Sequence, residues 1–272
     1  MTKQTRRRRL PGKHSGKRSR KRIPEAILTA FSLFTVIPMP HIPWETENLR
    51  YLLCAFPLTG IAVGFCRFAW GELCTGAGLS NILRGAGWCL IPVLLTGGIH
   101  LDGYADTSDA LASHGTSAHR REILHDPHCG AFAIIHLCVY FTAYFALCAS
   151  LTEDSPVMPW TFILSRTLSG LSLTLFPLSG EGMAHTFVPA TSKVPARLVL
   201  TFETLLAMAV ICAADAFTGI FVIAAALLTF AVYAHTVRRS FGYVSGDLAG
   251  WFLQKAEFWM LAAVIMVQYL RR

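Results

Sequence analysis

The chain has 272 residues, of which 53% are hydrophobic and only 15% are charged, whereas soluble proteins carry about 25% charged residues. A soluble domain of this length needs a charged surface to cover its core, so the composition excludes an ordinary soluble protein and predicts one embedded in lipid. The formal net charge of +8 does not indicate a nucleic-acid partner, because eleven of the 24 Lys and Arg precede Ile23 and the rest of the chain has a net charge of −3.

The N-terminal basic segment, residues 1–24, is predicted to be a disordered cytoplasmic tail. Its bases fall mainly in two runs, Arg6–Arg9 and Lys17–Arg22. Such runs can bind nucleic acid, but contact with the anionic lipids of the inner leaflet is the simpler interpretation. The apolar segment that follows has no small-residue cleavage pattern, so a signal peptide is not expected. Residues 25–272 then form one membrane-embedded domain.

Apolar windows along the rest of the chain predict an all-α, polytopic membrane bundle of about seven transmembrane helices. Each window is about as long as the 20 residues that cross a bilayer core. Two of them, Ala131–Leu151 and Ala216–Ala234, contain no charged residue. The shorter stretch Ala26–Pro43 ends in several prolines and is expected to be an interfacial or re-entrant helix. The remaining windows are Tyr51–Gly71, Ile82–Leu101, Val157–Leu178, Val194–Ala214 and a last one ending near Leu270.

The charges of the connecting loops predict which side each loop faces. With the tail inside, the loops 102–130 and 235–250 also fall inside, and both carry arginine pairs, as the positive-inside rule requires. The loop 152–156 falls outside and is acidic. Arg271 and Arg272 are the exception, because the same count of spans places these two bases outside.

The segment that follows the second window carries three aspartates at helical spacing. Asp102, Asp106 and Asp109 stand at i, i+4 and i+7, so a helix places them on one face. Carboxylates about 6 Å apart repel by roughly 3 kcal/mol per pair at an effective dielectric near 20. A divalent cation relieves that repulsion, and Mg²⁺ prefers carboxylate and phosphate oxygens. The alternative is an acidic helix start with Asp102 as N-cap. We favour the metal-binding face, because a glycine pair at the end of an apolar window precedes it.

The loop that leads to the charge-free window supplies bases, imidazoles and a carboxylate. Arg120 and Arg121 are candidate phosphate ligands, with a role as plain topology signals as the alternative. His125 and Asp126 stand beside a proline and shortly before Gly130. Turns at the entrance of a span commonly carry functional groups, so both are candidate catalytic residues.

Two further features combine charge with apolar surroundings. Arg166 lies near the middle of its window, where a charge costs about 3 kcal/mol or more unless it is paired or hydrated, so it is a candidate phosphate or carboxylate partner. Glu203 has weaker claims, since a glutamate in lipid can be neutral. The segment Tyr243–Gly250 is a flexible entry to the last window, in which Asp247 is either a site residue or an N-cap.

Together these segments resemble the cobalamin 5'-phosphate synthase family, also called adenosylcobinamide-GDP ribazoletransferase. The likeness runs in order through FTVIPMP at 34–40, GGIHLDGYADTSDAL at 97–111, LHDPHCGAF at 124–132 and SGDLAG at 245–250. The family commonly has Lys-Asp-Ser-Arg where this chain has His-Asp-Pro-His at 125–128, and an arginine where it has Val36. Arg120, Arg121 or Arg166 is therefore expected to contribute more to phosphate binding.

The resemblance implies a membrane-bound, Mg²⁺-dependent transferase that joins adenosylcobinamide-GDP to α-ribazole or its 5'-phosphate and releases GMP. The other expected partners are the lipid bilayer and either other corrinoid-pathway enzymes or a second copy of the chain. The expected location is the cytoplasmic membrane of a prokaryote, with the active-site loops facing the cytoplasm. The residues expected in the site are Asp102, Asp106 and Asp109 as metal ligands, Asp102, Asp106, Asp126 and His125 in catalysis, and Arg120, Arg121, Arg166, Gly103, Gly130, Ser245 and Asp247 in substrate binding.

The residues alone leave two other functions open. One is another metal-dependent membrane phosphotransferase that acts on a nucleotide-activated alcohol, although its usual motif places the later acids further apart than here. The other is a transporter, in which Arg166 and Glu203 would form sites near the membrane midplane.

Overall fold

The computed structural model describes residues 22–40, 42, 49–152, 154–180, 182–188, 191 and 193–272. Every regular element in these ranges is a helix, which confirms the all-α prediction. In chain order the helices are α1 (Arg22–Phe34), α2 (Leu52–Gly76), α3 (Asn81–Thr96), α4 (Ile99–Ala112), α5 (Ser117–Leu124), α6 (Ala131–Ser150), α7 (Met158–Leu175), α8 (Met183–Phe187), α9 (Lys193–Ala214), α10 (Ala216–Thr236) and α11 (Gly246–Leu270). A π-helical turn, Val237–Phe241, extends α10.

Five of these helices are long and apolar enough to cross a membrane: α2, α6, α9, α10 with its π turn, and α11. The helices α3 and α4 make a sixth span if they are counted together, although they are bent by 95°. The predicted span Val157–Leu178 does form a helix, α7, but its serines, threonines and Arg166 are polar and most of its side chains are buried. The described part of the chain therefore supports five or six apolar spans rather than about seven.

The helix α1 is only 13 residues long and therefore too short to cross a bilayer. Its buried residues Ala26, Thr29 and Ala30 lie on one face, and this face packs against α2. An interfacial or re-entrant helix, as expected from the sequence, has this form. The predicted tail lies outside the described residues as far as residue 21, and so does Pro43.

Helix boundaries follow local sequence signals. Ser80, Thr116 and Ser245 are N-caps whose side-chain oxygens accept a backbone N–H from the first turns of α3, α5 and α11. Gly97 and Gly98 have φ angles of 63° and 79°, which glycine adopts without strain. This pair ends α3 and begins α4, so the predicted window Ile82–Leu101 is broken by a bend rather than continuous.

The bundle has two ends, which α11 defines. Its 25 residues place Asp247 and Arg271 about 36 Å apart at 1.5 Å per residue. We call the end with Asp247 the aspartate end and the end with Arg271 the far end. The helix α7 is not among the apolar spans, but it runs from one end of the bundle to the other. Asp154 precedes it at the far end. Leu178, which follows it, forms an isolated bridge with Val244 at the aspartate end.

At the far end, Arg271 is neutralised by a neighbouring carboxylate. Its two terminal nitrogens donate to the two oxygens of Asp215 over 2.7 and 2.8 Å. Buried Arg67 similarly donates to Asp154 over 2.9 Å. The exception that Arg271 makes to the positive-inside rule is therefore a locally paired charge. Glu153, in the same acidic loop, lies outside the described residues.

Packing around α11 and α7 holds the bundle together. The helices α4, α6, α7 and α10 all pack on α11, and α2 packs along α7. At Gly60, an added Cβ would lie 2.5 Å from the carbonyl oxygen of Phe162. Small residues of this kind allow membrane helices to approach closely.

Candidate active site

The bend after Gly98 brings the first turn of α4 against the first turn of α11. The point of contact is Gly103, where an added Cβ would lie 2.7 Å from the Cα of Asp247. Only glycine fits this distance. The sequence suggests a substrate-binding role for Gly103, whereas the structure gives it a packing role that brings Asp247 towards Asp102.

Four carboxylates meet in this region, and we call Asp102, Asp106, Asp109 and Asp247 the carboxylate cluster. Asp106 is half-buried, and its carboxylate is repelled by the charges of Asp102, Asp247 and Asp109. Asp102 is exposed. The structure thus adds Asp247, from a helix more than a hundred residues later, to the face predicted from sequence.

Asp109 has a structural partner within the cluster. Its Oδ1 accepts the backbone N–H of Ala133 over 3.1 Å, in the first turn of α6. The helix dipole and the free N–H groups of that turn favour such a carboxylate. Gly130 is the N-cap residue of α6, and an added Cβ there would collide with the Asp109 carboxylate. The structure therefore shows helix capping by Asp109 and space provided by Gly130, where the sequence suggested metal and substrate binding.

The cluster fits a cation that takes only part of its ligands from the protein. Among the described residues, no group of three His, Cys, Asp or Glu is arranged to hold a metal ion on its own. With Asp109 engaged at α6, Asp102 and Asp106 are the two members of the predicted face that remain. Two carboxylates suit Mg²⁺, which keeps several waters and commonly completes its shell with substrate phosphates. The position of half-buried Asp106 among three other carboxylates is the feature that favours a cation.

An open cleft of about 570 Å³ lies beside α4. Asp102, Asp106 and Asp126 line it, together with the backbone of Gly97 and Gly98. The structure therefore places three of the four predicted catalytic residues in one cleft, which is large enough for a diphosphate.

The turn after α5 places His125 and Asp126 differently. Asp126 Oδ1 accepts the backbone N–H of His128 over 2.9 Å and lies 2.7 Å from its ring Nδ1. These contacts hold the pKa of the Asp126 carboxyl below its usual range. His125 Nε2 lies 3.3 Å from the hydroxyl of Tyr243, and the ring is close enough to Asp247 for their charges to interact.

The predicted phosphate ligands of α5 border this turn. The Arg121 guanidinium lies 5.8 Å from the centre of the Tyr243 ring, and its Nε donates to the Ser117 carbonyl over 3.0 Å. The Nε of Arg120 is buried and has no hydrogen-bond partner in the part of the chain that is described. Neither arginine forms a salt bridge with the carboxylate cluster there. A phosphate role for these two residues stays a prediction.

Arg166 has a partner that the sequence did not connect with it. Its side chain is 1% exposed, and Nη1 donates to Glu257 Oε1 over 2.8 Å and to the Phe162 carbonyl over 2.9 Å. Ser165 donates to the same glutamate oxygen over 3.0 Å. The sequence left a phosphate or a carboxylate as the partner of this charge, and in the structure the carboxylate of Glu257 balances it inside the bundle.

Ser245 begins α11 rather than standing free for substrate. Its Oγ accepts the N–H of Leu248 over 3.2 Å and donates to Asp247 Oδ2 over 3.3 Å. Ser245 thus holds the Asp247 carboxylate in place, so it contributes to the site through Asp247 rather than by direct contact with substrate.

A second, smaller cavity of about 130 Å³ lies on the other side of Asp102. Its walls include Phe34, Phe56, Phe187 and His100, and Asp102 and Asp247 also line it. No role is predicted for His100 from the sequence, although it stands inside the segment GGIHLDGYADTSDAL at 97–111. A histidine within an apolar window, two residues before an aspartate, is the signal that could have identified it.

Comparisons with known proteins identify relatives that match most of the chain. The family model described as cobalamin-5-phosphate synthase matches residues 26–265. A protein of Lachnoclostridium phytofermentans, named adenosylcobinamide-GDP ribazoletransferase, is 36% identical over 244 residues, which cover 88% of this chain and 92% of that protein. The protein of the same name from Geobacillus kaustophilus is 30% identical over 257 residues, covering 88% and 97% of the two chains. A third, from Clostridium botulinum, is 25% identical over 237 residues, covering 86% and 94%. No solved structure matches the chain.

Proposed function

The chain belongs to the cobalamin-5-phosphate synthase family, and we propose that it joins adenosylcobinamide-GDP to α-ribazole or its 5'-phosphate with release of GMP. The names of its relatives specify this substrate pair. The observation in this chain that carries the proposal is the carboxylate cluster beside an open cleft at one end of a membrane bundle. Such an arrangement suits a phosphoryl transfer in which positioning and charge neutralisation supply most of the catalysis.

The reaction makes one bond to phosphorus and breaks another. The 3'-hydroxyl oxygen of the nucleoside bonds to the phosphorus nearest the corrinoid. The bond from that phosphorus to the bridging oxygen breaks, and GMP leaves with that oxygen and the electron pair. The hydroxyl proton must pass to a base, and the negative charge that develops on the phosphoryl oxygens must be balanced.

The residues of the large cleft bind and orient the diphosphate. Asp102 and Asp106 are the proposed holders of Mg²⁺, which when bound neutralises phosphate charge. The backbone at Gly97 and Gly98 borders the same cleft and lets a bulky diphosphate approach closely. Arg120 and Arg121, on the neighbouring α5, are proposed to attract the anionic substrate.

We assign proton acceptance to His125 rather than to Asp126. The hydrogen bonds from His128 lower the pKa of Asp126, so this carboxylate is ionised but is a weak base near neutral pH. The ring of His125 lies beside Asp247 and against the Tyr243 hydroxyl, which fixes its position. Replacing His125 by Gln should therefore lower turnover far more than replacing Asp126 by Asn.

We also propose how the enzyme is oriented in the membrane and which partners it contacts. The aspartate end faces the cytoplasm of a prokaryotic inner membrane, since the arginine-bearing loops lie at that end. The tail before Ile23 is the candidate contact for another corrinoid-pathway enzyme or for a second copy of the chain. The transporter alternative loses its main support, because Arg166 pairs with Glu257 rather than remaining available for an ion.

The direct test is GMP release by the purified protein. Adenosylcobinamide-GDP, α-ribazole and Mg²⁺ are supplied in detergent or lipid, and GMP is measured by chromatography. We expect release that depends on α-ribazole and falls at least a hundredfold in Asp102→Asn. Asp215→Asn at the far end is the matched control and should retain the wild-type rate. GMP release that does not require α-ribazole, or that survives in Asp102→Asn, would contradict the proposal.

A further inference from the structure

The cavity lined by Phe34, Phe56, Phe187 and His100 has no part in the phosphoryl transfer described so far. We call it the aromatic cavity. The rings of Phe34 and Phe56 lie with their centres 4.4 Å apart, and Phe187 stands edge-on to Phe34 at 6.2 Å. Walls of this kind favour a flat, apolar ring, which gains stacking and edge contacts as well as burial.

One polar atom in this apolar wall has no partner. His100 is 6% exposed, and its Nε2 forms no hydrogen bond to any described residue. A buried polar atom without a partner is rare in native structures, and a ligand is one of the ordinary explanations. The ring is held in place by its neighbours, since it stacks on Phe34 with an angle of 19° between the planes. Apart from Asp102, Asp247 and Ser169, which also line the cavity, the walls are apolar, and the fixed ring of His100 adds one hydrogen-bonding group to them.

The aromatic groups of the proposed substrates differ in the number of polar atoms that they would bury. Guanine and adenine carry several hydrogen-bonding atoms on their edges, and most of these would be left unpaired against the phenylalanine rings of the cavity. A benzimidazole linked to ribose through one ring nitrogen keeps only the other ring nitrogen as an acceptor. The His100 tautomer that carries its proton on Nε2 supplies one donor to match this one acceptor.

Size and position favour the same ligand. The cavity volume of about 130 Å³ is close to the roughly 150 Å³ of an apolar cavity that takes up benzene, so the benzo ring can be buried. Asp102 and Asp247 line the same cavity. A base that enters with its benzo ring first would leave its ribose beside these two carboxylates, and Asp102 also lines the large cleft where the diphosphate is placed.

We propose that the aromatic cavity binds the benzimidazole-type base of the attacking nucleoside, with His100 Nε2 donating a hydrogen bond to the free ring nitrogen. The ribose then lies between Asp102 and Asp247, where its 3'-hydroxyl faces the diphosphate cleft. This inference rests on the proposed function and extends it by naming the cavity that selects the base.

A double-change cycle, which alters the ligand and the protein separately and together, tests the hydrogen bond from His100 to the base. The indole analogue of α-ribazole has a C–H in place of the free ring nitrogen, and His100→Phe keeps a flat ring but removes the N–H. In the wild type, the indole analogue should raise the dissociation constant about tenfold, the size expected for one buried hydrogen bond of about 1.4 kcal/mol. In His100→Phe the two nucleosides should bind within twofold of each other. Binding is measured through the fluorescence of the nucleoside, without adenosylcobinamide-GDP.

Two further variants distinguish a loss of binding in the cavity from a general loss of stability. Phe187→Leu should raise the KM for α-ribazole at least fivefold and leave the KM for adenosylcobinamide-GDP within twofold. Phe230→Leu, in an aromatic cluster between α10 and α11, should change neither value. If His100→Phe does not fold, the two nucleosides are compared on the wild type alone, and a difference below twofold overturns the inference.

The outcomes also distinguish this inference from the proposed function. If the wild type releases GMP with α-ribazole but shows no preference over the indole analogue, the inference fails and the function stands. If the wild type binds α-ribazole with that preference but releases no GMP, the cavity assignment stands and the proposed reaction fails.

Discussion

Asp102, Asp106 and Asp109 should respond differently to neutralisation, although they are chemically alike. Asp106 is half-buried and is repelled by three neighbours. Two carboxylates about 6 Å apart, the spacing of neighbouring helix positions, repel by roughly 3 kcal/mol at an effective dielectric near 20. Screening by water at a half-buried site reduces this, so removing the Asp106 charge should stabilise the metal-free protein by on the order of 1–2 kcal/mol.

Asp109 should show the opposite sign. Its carboxylate accepts the Ala133 N–H at the start of α6, and an interaction of this kind contributes about 1 kcal/mol. Asp109→Ala should therefore lower the apparent melting temperature by roughly 2–4 °C with or without Mg²⁺. Asp109→Asn should lower it less, because the amide oxygen can still accept the hydrogen bond.

Thermal unfolding with and without Mg²⁺ measures both effects. Stabilisation by a ligand follows RT ln(1 + [L]/Kd), which is about 2.7 kcal/mol at a hundredfold excess over Kd. Mg²⁺ should therefore raise the melting temperature of the wild type and of Asp109→Asn, but much less that of Asp102→Asn or Asp106→Asn. Activity should fall in parallel in the latter two variants.

Two results would refute this reasoning. Equal Mg²⁺ shifts in the wild type, Asp102→Asn and Asp106→Asn would show that these carboxylates do not hold the cation. A loss of stability in metal-free Asp106→Asn would show that repulsion does not dominate at this position, and that its carboxylate has a stabilising partner instead.

Three further predictions concern other parts of the chain. Arg166→Lys should fold and keep most of its turnover, because a single nitrogen, Nη1, makes the contact with Glu257. Arg166→Met should instead lower stability by about 3–5 kcal/mol, because it leaves a buried carboxylate unpaired. Poor turnover of well-folded Arg166→Lys would restore the phosphate role. Arg271→Ala should leave GMP release close to the wild-type rate, because the pair with Asp215 is partly exposed at the far end. A tenfold loss of GMP release would contradict this. Deletion of the residues before Ile23 should leave turnover in detergent intact, because the family match begins at residue 26; complete loss in a folded truncation would show that the tail takes part in catalysis.

The sequence predicted well what depends on local composition. The charge-free windows became α6 and α10 almost to the residue, because a long apolar run has few alternatives to a helix in lipid. The bend within Ile82–Leu101 was not predicted, because the number of apolar residues in a window does not show that a glycine pair can adopt left-handed backbone angles. The window Val157–Leu178 likewise formed one helix, α7, but a count of apolar residues did not reveal how polar and buried that helix is.

Pairings between distant segments could not be predicted in this way. The sequence showed that a charge at Arg166 needs a partner, but not that Glu257, 91 residues away, supplies it. Likewise, the spacing of Asp102, Asp106 and Asp109 predicted a shared face, while the addition of Asp247 depends on how closely α4 and α11 approach at Gly103. Such contacts are properties of the packed bundle rather than of any one segment.

Helix ends explain how the bundle tolerates four neighbouring carboxylates. Asp102 lies in the first turn of α4, Asp247 lies in the first turn of α11, and Asp109 binds the first turn of α6. The positive end of a helix dipole favours each of these three charges. Asp106, in the middle of α4, has no such compensation, and the other three repel it. The proposed cation would therefore act most strongly at Asp106, and the bend at Gly98 matters because it creates the helix end that lies beside Asp102.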